Sequence, residues 1–214
     1  VLDALAEYDS ATVQNAGILV RGYTHEDEDY TNPSIREYIA PESDPAVGYA
    51  LTSTWTPLSE PAEPANSRFD YFDSIAQANV PVIVVQQDVD RPPGRGAIIG
   101  DGMAYQMKAL GAIGALVEGS ARDVPGIQQA GLALWATGRV PGHGPFNMLS
   151  HDIQVTVAGL KINPGDILVC DADGITRVPV DIAADVAKMC AEVRAKESAV
   201  HRIFATPNFT LDQW

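Results

Sequence analysis

Basic residues are scarce in this chain. Fourteen lysines and arginines stand against 28 aspartates and glutamates in 214 residues, a formal charge of −14. A field of that sign repels phosphate backbones, so nucleic acid is not an expected partner. Cysteine is nearly absent: Cys170 and Cys190 lie in apolar surroundings without CxxC or Cys/His spacing. They read as buried free thiols of a reducing, cytoplasmic compartment. No apolar run approaches the ~20 residues that span a bilayer, and no basic-then-apolar signal segment is read, so no membrane partner is expected. Internal repeats and low-complexity tracts are missing too. What is present is an ordinary globular composition, 46% hydrophobic and 20% charged, long enough to bury a core.

The first 66 residues read as loop-rich. Residues 2–16 place Leu2, Leu5, Ala6 and Tyr8 on one face of a helix, and 25–29 (HEDED) reads as a solvated loop, because adjacent acids cannot all face one ion. A short strand is expected at 47–54 among prolines. From there the pattern sharpens. Ser67 is placed to cap a helix through 79, with Phe69, Phe72, Ile75 and Ala76 inward. Buried strands are expected at 80–85, 113–117 and 132–136, with helices at 101–110 and 124–130 between and after them. Alternation of that kind is the signature of a parallel sheet. Residues 155–162 read as a hairpin turning at Ala158-Gly159, and 167–170 and 175–178 as two further strands. Asp181 opens a long helix to 204.

Several motifs are set aside. Asp171-x-Asp173-Gly174 begins like a calcium loop but has no closing acid, and a hairpin turn explains it. Gly94-x-Gly96-x-x-x-Gly100 misses the dinucleotide spacing by one residue. His143 and His151 sit in a glycine-rich stretch with no HExxH or triad-like frame.

Two stretches survive. At Gly100-Asp101-Gly102-Met103 a helix start beside glycines offers unpaired amides to a carboxylate or phosphate, although Asp101 can equally be a plain cap. At Arg122-Asp123, Asp123 can cap the next helix and Arg122 can be its surface partner. Both stretches follow parallel strands, whose carboxyl ends gather ligands. If those strands are neighbours, two carboxylates, one guanidinium and the helix-end amides form a single site. Such a set suits a hard divalent cation, which takes few protein carboxylates and can chelate a 2-oxo acid. The cation would stabilise an enolate as the adjacent C–C bond breaks, and Arg122 would add charge where the oxyanion develops.

The stretch GDGMAYQMKALGAIGALVEGSARDVPGIQQAGLALWATG resembles the core of the RraA-like family, and PGDILVCDADGITRVP resembles a later family motif. Gly48-Tyr-Ala-Leu-Thr52 and residues 12–16 add fainter likeness. The resemblance implies an α/β, three-layer β/β/α swivelling-domain fold with a long C-terminal helix. Residues 1–180 would form one domain, and 181–214 a helix and tail packing on a neighbouring subunit of a homotrimer or hexamer. Through the family's 4-hydroxy-4-methyl-2-oxoglutarate (HMG/CHA) aldolases, it implies a class II, divalent-metal-dependent lyase. Mg²⁺ or Mn²⁺ would be held by Asp123, and by Asp101 through a water. Arg122 would contact the keto oxygen, and Gly100, Gly102 and Met103 would bind the substrate carboxylate. Glu197 of a neighbouring subunit, or else Glu192, would approach through water. The expected reaction is retro-aldol cleavage of a 4-hydroxy-2-oxo acid to pyruvate, with oxaloacetate decarboxylation through the same enolate. The sequence departs from the family pattern at Glu118 and Asn15, where Asp is usual, and in the 88–100 loop. Two alternatives stand beside it: a non-catalytic RraA-type inhibitor of a ribonuclease or other partner, and an enzyme with a larger or sugar-derived substrate.

Overall fold

Val82, Ile83, Val84 and Val85 send alternate side chains into two different cores, and that alternation organises the molecule. The computed structural model describes residues 1–59 and 68–213. In chain order it contains α1 (Leu2–Leu5), α2 (Ser10–Arg21), α3 (Glu26–Asp29), β1 (Arg36–Ile39), β2 (Ala46–Thr56), α4 (Arg68–Gln77), β3 (Val82–Asp88), β4 (Ala97–Ile99) and α5 (Asp101–Ala109). These are followed by β5 (Ala112–Ala121), α6 (Val124–Ala130), β6 (Ala133–Arg139), β7 (Asn147–His151), β8 (Val155–Val157), β9 (Leu160–Ile162), β10 (Ile167–Asp171), β11 (Gly174–Val178) and α7 (Ala183–Phe204).

Among the described residues nine strands form one sheet in the order β1-β6-β5-β3-β2-β10-β11, with β4 beside β5 and β7 beside β2. The central strands β2, β3, β5 and β6 are parallel, as the strand–helix alternation predicts. Val82, Val84, Ala115, Val117, Leu134 and Ala136 face a core shared with α4, α5 and α6. Ile83, Val85, Leu116, Ala133 and Trp135 face the other side, covered by the β8–β9 hairpin. Its tip, Ala158-Gly159, has positive φ at both residues, which matches a tight hairpin turn. A third cluster joins β10, β11 and the start of β2 to α2 and α7. Helices therefore cover one face and a second β layer the other, the expected three-layer α/β arrangement ending in a long helix.

Several local expectations change. The helix expected at 2–16 breaks into α1 and α2, because the Asp9 carboxylate accepts from the Thr12 amide (2.7 Å) and caps a new helix start. The acidic stretch at 25–29 is not a solvated loop. It winds into α3, and Asp29 is fully buried against Arg21 (2.7 Å). Phe69 is not inward but 71% exposed, and Ala76 is also exposed; Tyr71, Phe72 and Ile75 supply the buried face of α4. The Ser67 cap lies outside the described residues. Asp171 does close a hairpin, and its carboxylate also accepts from the Ser10 amide (2.7 Å) and hydroxyl (2.8 Å), tying α2 to the sheet. The long helix begins at Ala183, after a 3-10 turn containing Asp181. Both cysteines are buried and unpaired, as expected.

Candidate active site

Two strand-to-helix junctions lie side by side at the carboxyl ends of the parallel strands. β4 runs into Gly100 and α5, and β5 runs into Arg122, Asp123 and α6. β4 and β5 are paired, Ile99 with Ala121, and the Arg122 amide donates to the Ile99 carbonyl (3.0 Å). Segments remote in sequence are thus brought together by one β-ladder.

Asp123 occupies the cap position of α6 without capping it. Its backbone is left-handed (φ 53°, ψ 36°), and its side chain makes no hydrogen bond to the helix amides. The carboxylate turns instead to Arg122, with Oδ2 3.1 Å from Nε, and both groups remain partly exposed. A non-glycine residue in that conformation is strained, and strain of this kind collects at functional sites. Asp101 does not cap α5 either. Gly100 holds the cap position, and Asp101 follows with its Oδ1 accepting from the Gly102 amide (2.7 Å).

Glycines make this proximity possible. A β-carbon on Gly126 of α6 would lie 2.6 Å from the Asp101 Cβ and 2.9 Å from its Oδ2. One on Gly100 would lie 3.2 Å from both Asp123 Oδ2 and Arg122 Nε. Each carboxylate thus occupies room left by a glycine of the opposite junction. Gly100, Asp101, Gly102, Met103 and Arg122 line one pocket of about 190 Å³, with Asp123 beside it through its contacts to Gly100 and Arg122.

The same pocket contains residues that sequence reasoning passed over. His143 and Phe146 line it, and Phe146 stacks on Trp55 (centroids 5.1 Å apart, planes 29°). No spacing rule marks His143; only the return of the 140–146 loop over β4 places it there, through the Ala97 amide donating to the Gly142 carbonyl (2.9 Å). Asp88, at the end of β3, fastens the intervening loop by accepting from the Asp90 (2.8 Å) and Gly94 (2.6 Å) amides. Burial pushes the Asp88 carboxyl above its usual range, although those two amides work against the shift. Gly94 serves that loop, and a strand separates it from Gly100. A larger pocket of about 240 Å³ lies at the opposite, amino-terminal end of the sheet, near Val47, Pro81 and Ile113. It has no such pairing of carboxylates with a guanidinium, so chemistry favours the smaller one.

Glu197 does not join this pocket within the chain. It lies on α7, where its Oε1 accepts from Asn15 Nδ2 (3.3 Å), and α7 packs against α2. Glu192 is exposed on the same helix. His151 lies in β7, facing Tyr71 (ring centroids 6.0 Å apart). Among the described residues no cluster of three or more His, Cys, Asp or Glu side chains converges on one point. The oxygen donors at the junction are therefore two carboxylates. That number suits a hard cation such as Mg²⁺, which retains most of its water, and does not suit a protein-enclosed zinc or calcium site.

The sequence matches the RraA-like family (Aldolase/RraA) over residues 10–177, and the chain belongs to that family. It is 24% identical over 169 residues to protein DlpA of Legionella pneumophila, covering 78% of this chain and 26% of that protein. It is 29% identical over 112 residues to a Halalkalibacterium halodurans protein named "Putative 4-hydroxy-4-methyl-2-oxoglutarate aldolase", covering 50% of this chain and 51% of that protein. The chain thus spans between about a quarter and a half of these relatives. The crystal structure of Streptomyces coelicolor RraAS2, described as an unusual member of the RNase ES inhibitor RraA protein family, superposes with a TM-score of 0.75 at 22% identity. That superposition covers 94% of each chain and establishes the shared fold. Among the described residues no helix is long and apolar enough to cross a membrane.

Proposed function

We propose that the protein is a divalent-metal-dependent carbon–carbon lyase that releases pyruvate from a 4-hydroxy-2-oxo acid and also decarboxylates oxaloacetate. The observation that carries this reading is the reciprocal placement of Asp101 over Gly126 and of Asp123 with Arg122 over Gly100. It gathers two carboxylates and a guanidinium at the mouth of α5, where ligands of parallel sheets bind. The likeness to a protein named as an aldolase supports it.

Asp123 would hold Mg²⁺ or Mn²⁺, with Asp101 alongside through water; when bound, the cation supplies a Lewis acid to the 2-oxo acid. The chain's own groups do the rest. The first-turn amides of α5 orient the substrate carboxylate, since they have no partners within the helix. Met103 is the freer donor, because the Gly102 amide already serves Asp101 Oδ1. Asp101 Oδ2 takes the proton from the C4 hydroxyl as the C3–C4 bond breaks, and its electrons pass into the enolate. Arg122 stabilises the negative charge that develops on the C2 oxygen. Return of a proton to C3 completes pyruvate. Assembly into a trimer or hexamer would add Glu197 from a neighbouring copy.

The test is pyruvate release from oxaloacetate and from 4-hydroxy-2-oxo acids in Mg²⁺, with and without chelator, by the wild type and Asp123→Ala. Chelator-sensitive product that Asp123→Ala abolishes is expected. No such product from any substrate, or unchanged turnover in the variant, overturns the reading. That result would favour a non-catalytic protein that binds a ribonuclease or another partner, in keeping with the inhibitor family of its Streptomyces structural relative.

A further inference from the structure

Retro-aldol cleavage moves two protons. One leaves the C4 hydroxyl for Asp101; the other must reach C3 of the enolate before pyruvate can form. Met103, Phe146 and the aliphatic side chains that line the pocket have no proton to give, and a guanidinium such as that of Arg122 is not deprotonated in proteins. His143 is what remains among the described residues of that pocket, and imidazole is the side chain that takes and gives protons near neutrality.

The loop holds this ring in place from both sides. The Ala97 amide of β4 donates to the Gly142 carbonyl (2.9 Å), and the Gly144 amide donates to the Pro57 carbonyl (2.8 Å). A β-carbon on Gly144 would lie 3.1 Å from both the Pro57 carbonyl oxygen and Leu58 Cα, so a glycine is what lets the loop approach so closely. Phe146 has a left-handed backbone (φ 65°), which a bulky residue avoids, and its ring stacks on buried Trp55. The His143 ring lies beside that of Phe146, centroids 5.8 Å apart. Asp123 and Phe146 thus carry the same kind of backbone strain at one pocket, as functional sites often do.

One hydrogen bond decides which ring nitrogen is reactive. Nδ1 of His143 is 2.7 Å from the Gly144 carbonyl oxygen, which can only accept, so Nδ1 keeps its hydrogen. Nε2 is therefore the atom that gains and loses a proton. The bond to Gly144 persists in both states of the ring, and no rotation is required between them.

We propose that His143 is the proton donor of the reaction, its imidazolium Nε2 delivering a proton to C3 of the enolate. The C2–C3 electron pair forms the new C3–H bond, the C2 carbonyl is restored, and neutral imidazole remains. The proton that Asp101 took from the C4 hydroxyl then passes through water to Nε2 and returns both groups to their starting state. The proposal rests on the lyase reading.

Run backwards, the step is enolisation: neutral Nε2 removes a C3 proton from pyruvate. It can be read without any C–C cleavage, as exchange of the pyruvate methyl hydrogens for deuterium in D₂O, followed by proton NMR with the full chain and Mg²⁺. His143 is exposed, so its proton equilibrates with solvent and its replacement leaves the core alone. The wild type is expected to exchange faster than Mg²⁺ by itself, and His143→Gln and His143→Ala to be slower than the wild type by about a hundredfold or more. Added imidazole should restore much of the rate to His143→Ala and not to His143→Gln, whose amide fills the space. Wild-type exchange rates in the variants, a loss that imidazole does not rescue, or cleavage by a wild type that exchanges nothing would overturn the proposal; chelator-sensitive pyruvate release would then keep the lyase reading. Exchange that depends on His143, in a protein that cleaves no substrate, would sink the lyase reading alone. A wild type that neither exchanges nor cleaves would sink both.

Discussion

Asp101 lies directly over Gly126: the space that a β-carbon on that glycine would need is occupied by the aspartate's Cβ and Oδ2. Gly100 stands in the same relation to Arg122 and Asp123. The two junctions interlock, each side chain filling the room left by the other junction's glycine. This closeness needs no metal to maintain it, because β4–β5 pairing and the Arg122–Ile99 hydrogen bond already hold the segments together.

Gly126→Ala would normally help a helix, by ~1 kcal/mol. Here the new methyl meets Asp101, so we expect a net loss of about 1–3 kcal/mol in urea unfolding and at least a tenfold fall in pyruvate release. Adding Asp101→Gly should restore stability without restoring activity. Additive stability effects of the two substitutions would show that they do not touch.

Asp123→Gly separates strain from function. The left-handed backbone at Asp123 costs an ordinary residue about 1 kcal/mol and a glycine almost nothing. The variant should be as stable as the wild type or slightly more so, yet lose turnover by about a hundredfold or more. Thermal unfolding and the pyruvate assay check the two halves. A destabilised variant would mean that the carboxylate is structural.

Asp9 carries a pH signature. Burial works to raise its pKa, but hydrogen bonds from the Thr12 amide and hydroxyl, with Arg194 at 2.7 Å, outweigh it and lower the carboxyl below 3.8. A carboxyl depressed in the folded state contributes stability that is fully present above its unfolded value and is lost as pH falls through its folded one. Asp9→Ala should therefore cost about 1 kcal/mol at neutral pH, as loss of a helix cap does. The gap between variant and wild type should close below pH 3.8, as read by urea unfolding across pH. A gap that stays constant in acid would refute the cap's charge as the cause.

The two thiols should be nearly inert in the folded protein. Burial pushes Cys170 well above its ordinary value and Cys190 up to about 11, and the thiolate is the reactive form. Alkylation by iodoacetamide at neutral pH, followed by mass, should be slow for the native chain and rapid in urea. Fast native labelling of Cys170 would contradict its burial.

Period-two apolar runs and glycine or proline punctuation depend on local chemistry, so β3, β5, the β8–β9 hairpin and α6 were legible in the chain alone. The charged run at 25–29 misled because its composition reads as solvated. Asp29 is buried because Arg21, a residue of another helix, comes to meet one of its oxygens while the His25 amide donates to the other. Phe69 misled for a related reason: helical spacing alone does not show which face the sheet will cover. His143 carried no signal, since its place in the pocket depends on a loop folding back over β4.

Sequence by itself determined the alternation of strands and helices, the acidic charge and the two stretches able to carry chemistry, because propensity, hydrophobic period and side-chain type are local properties of the chain. Tertiary structure alone decided that the junctions carrying Asp101 and Asp123 lie side by side and that neither aspartate caps its helix. Those facts depend on which strands pair and which glycines leave room, and contacts of that kind exist only once distant segments have packed.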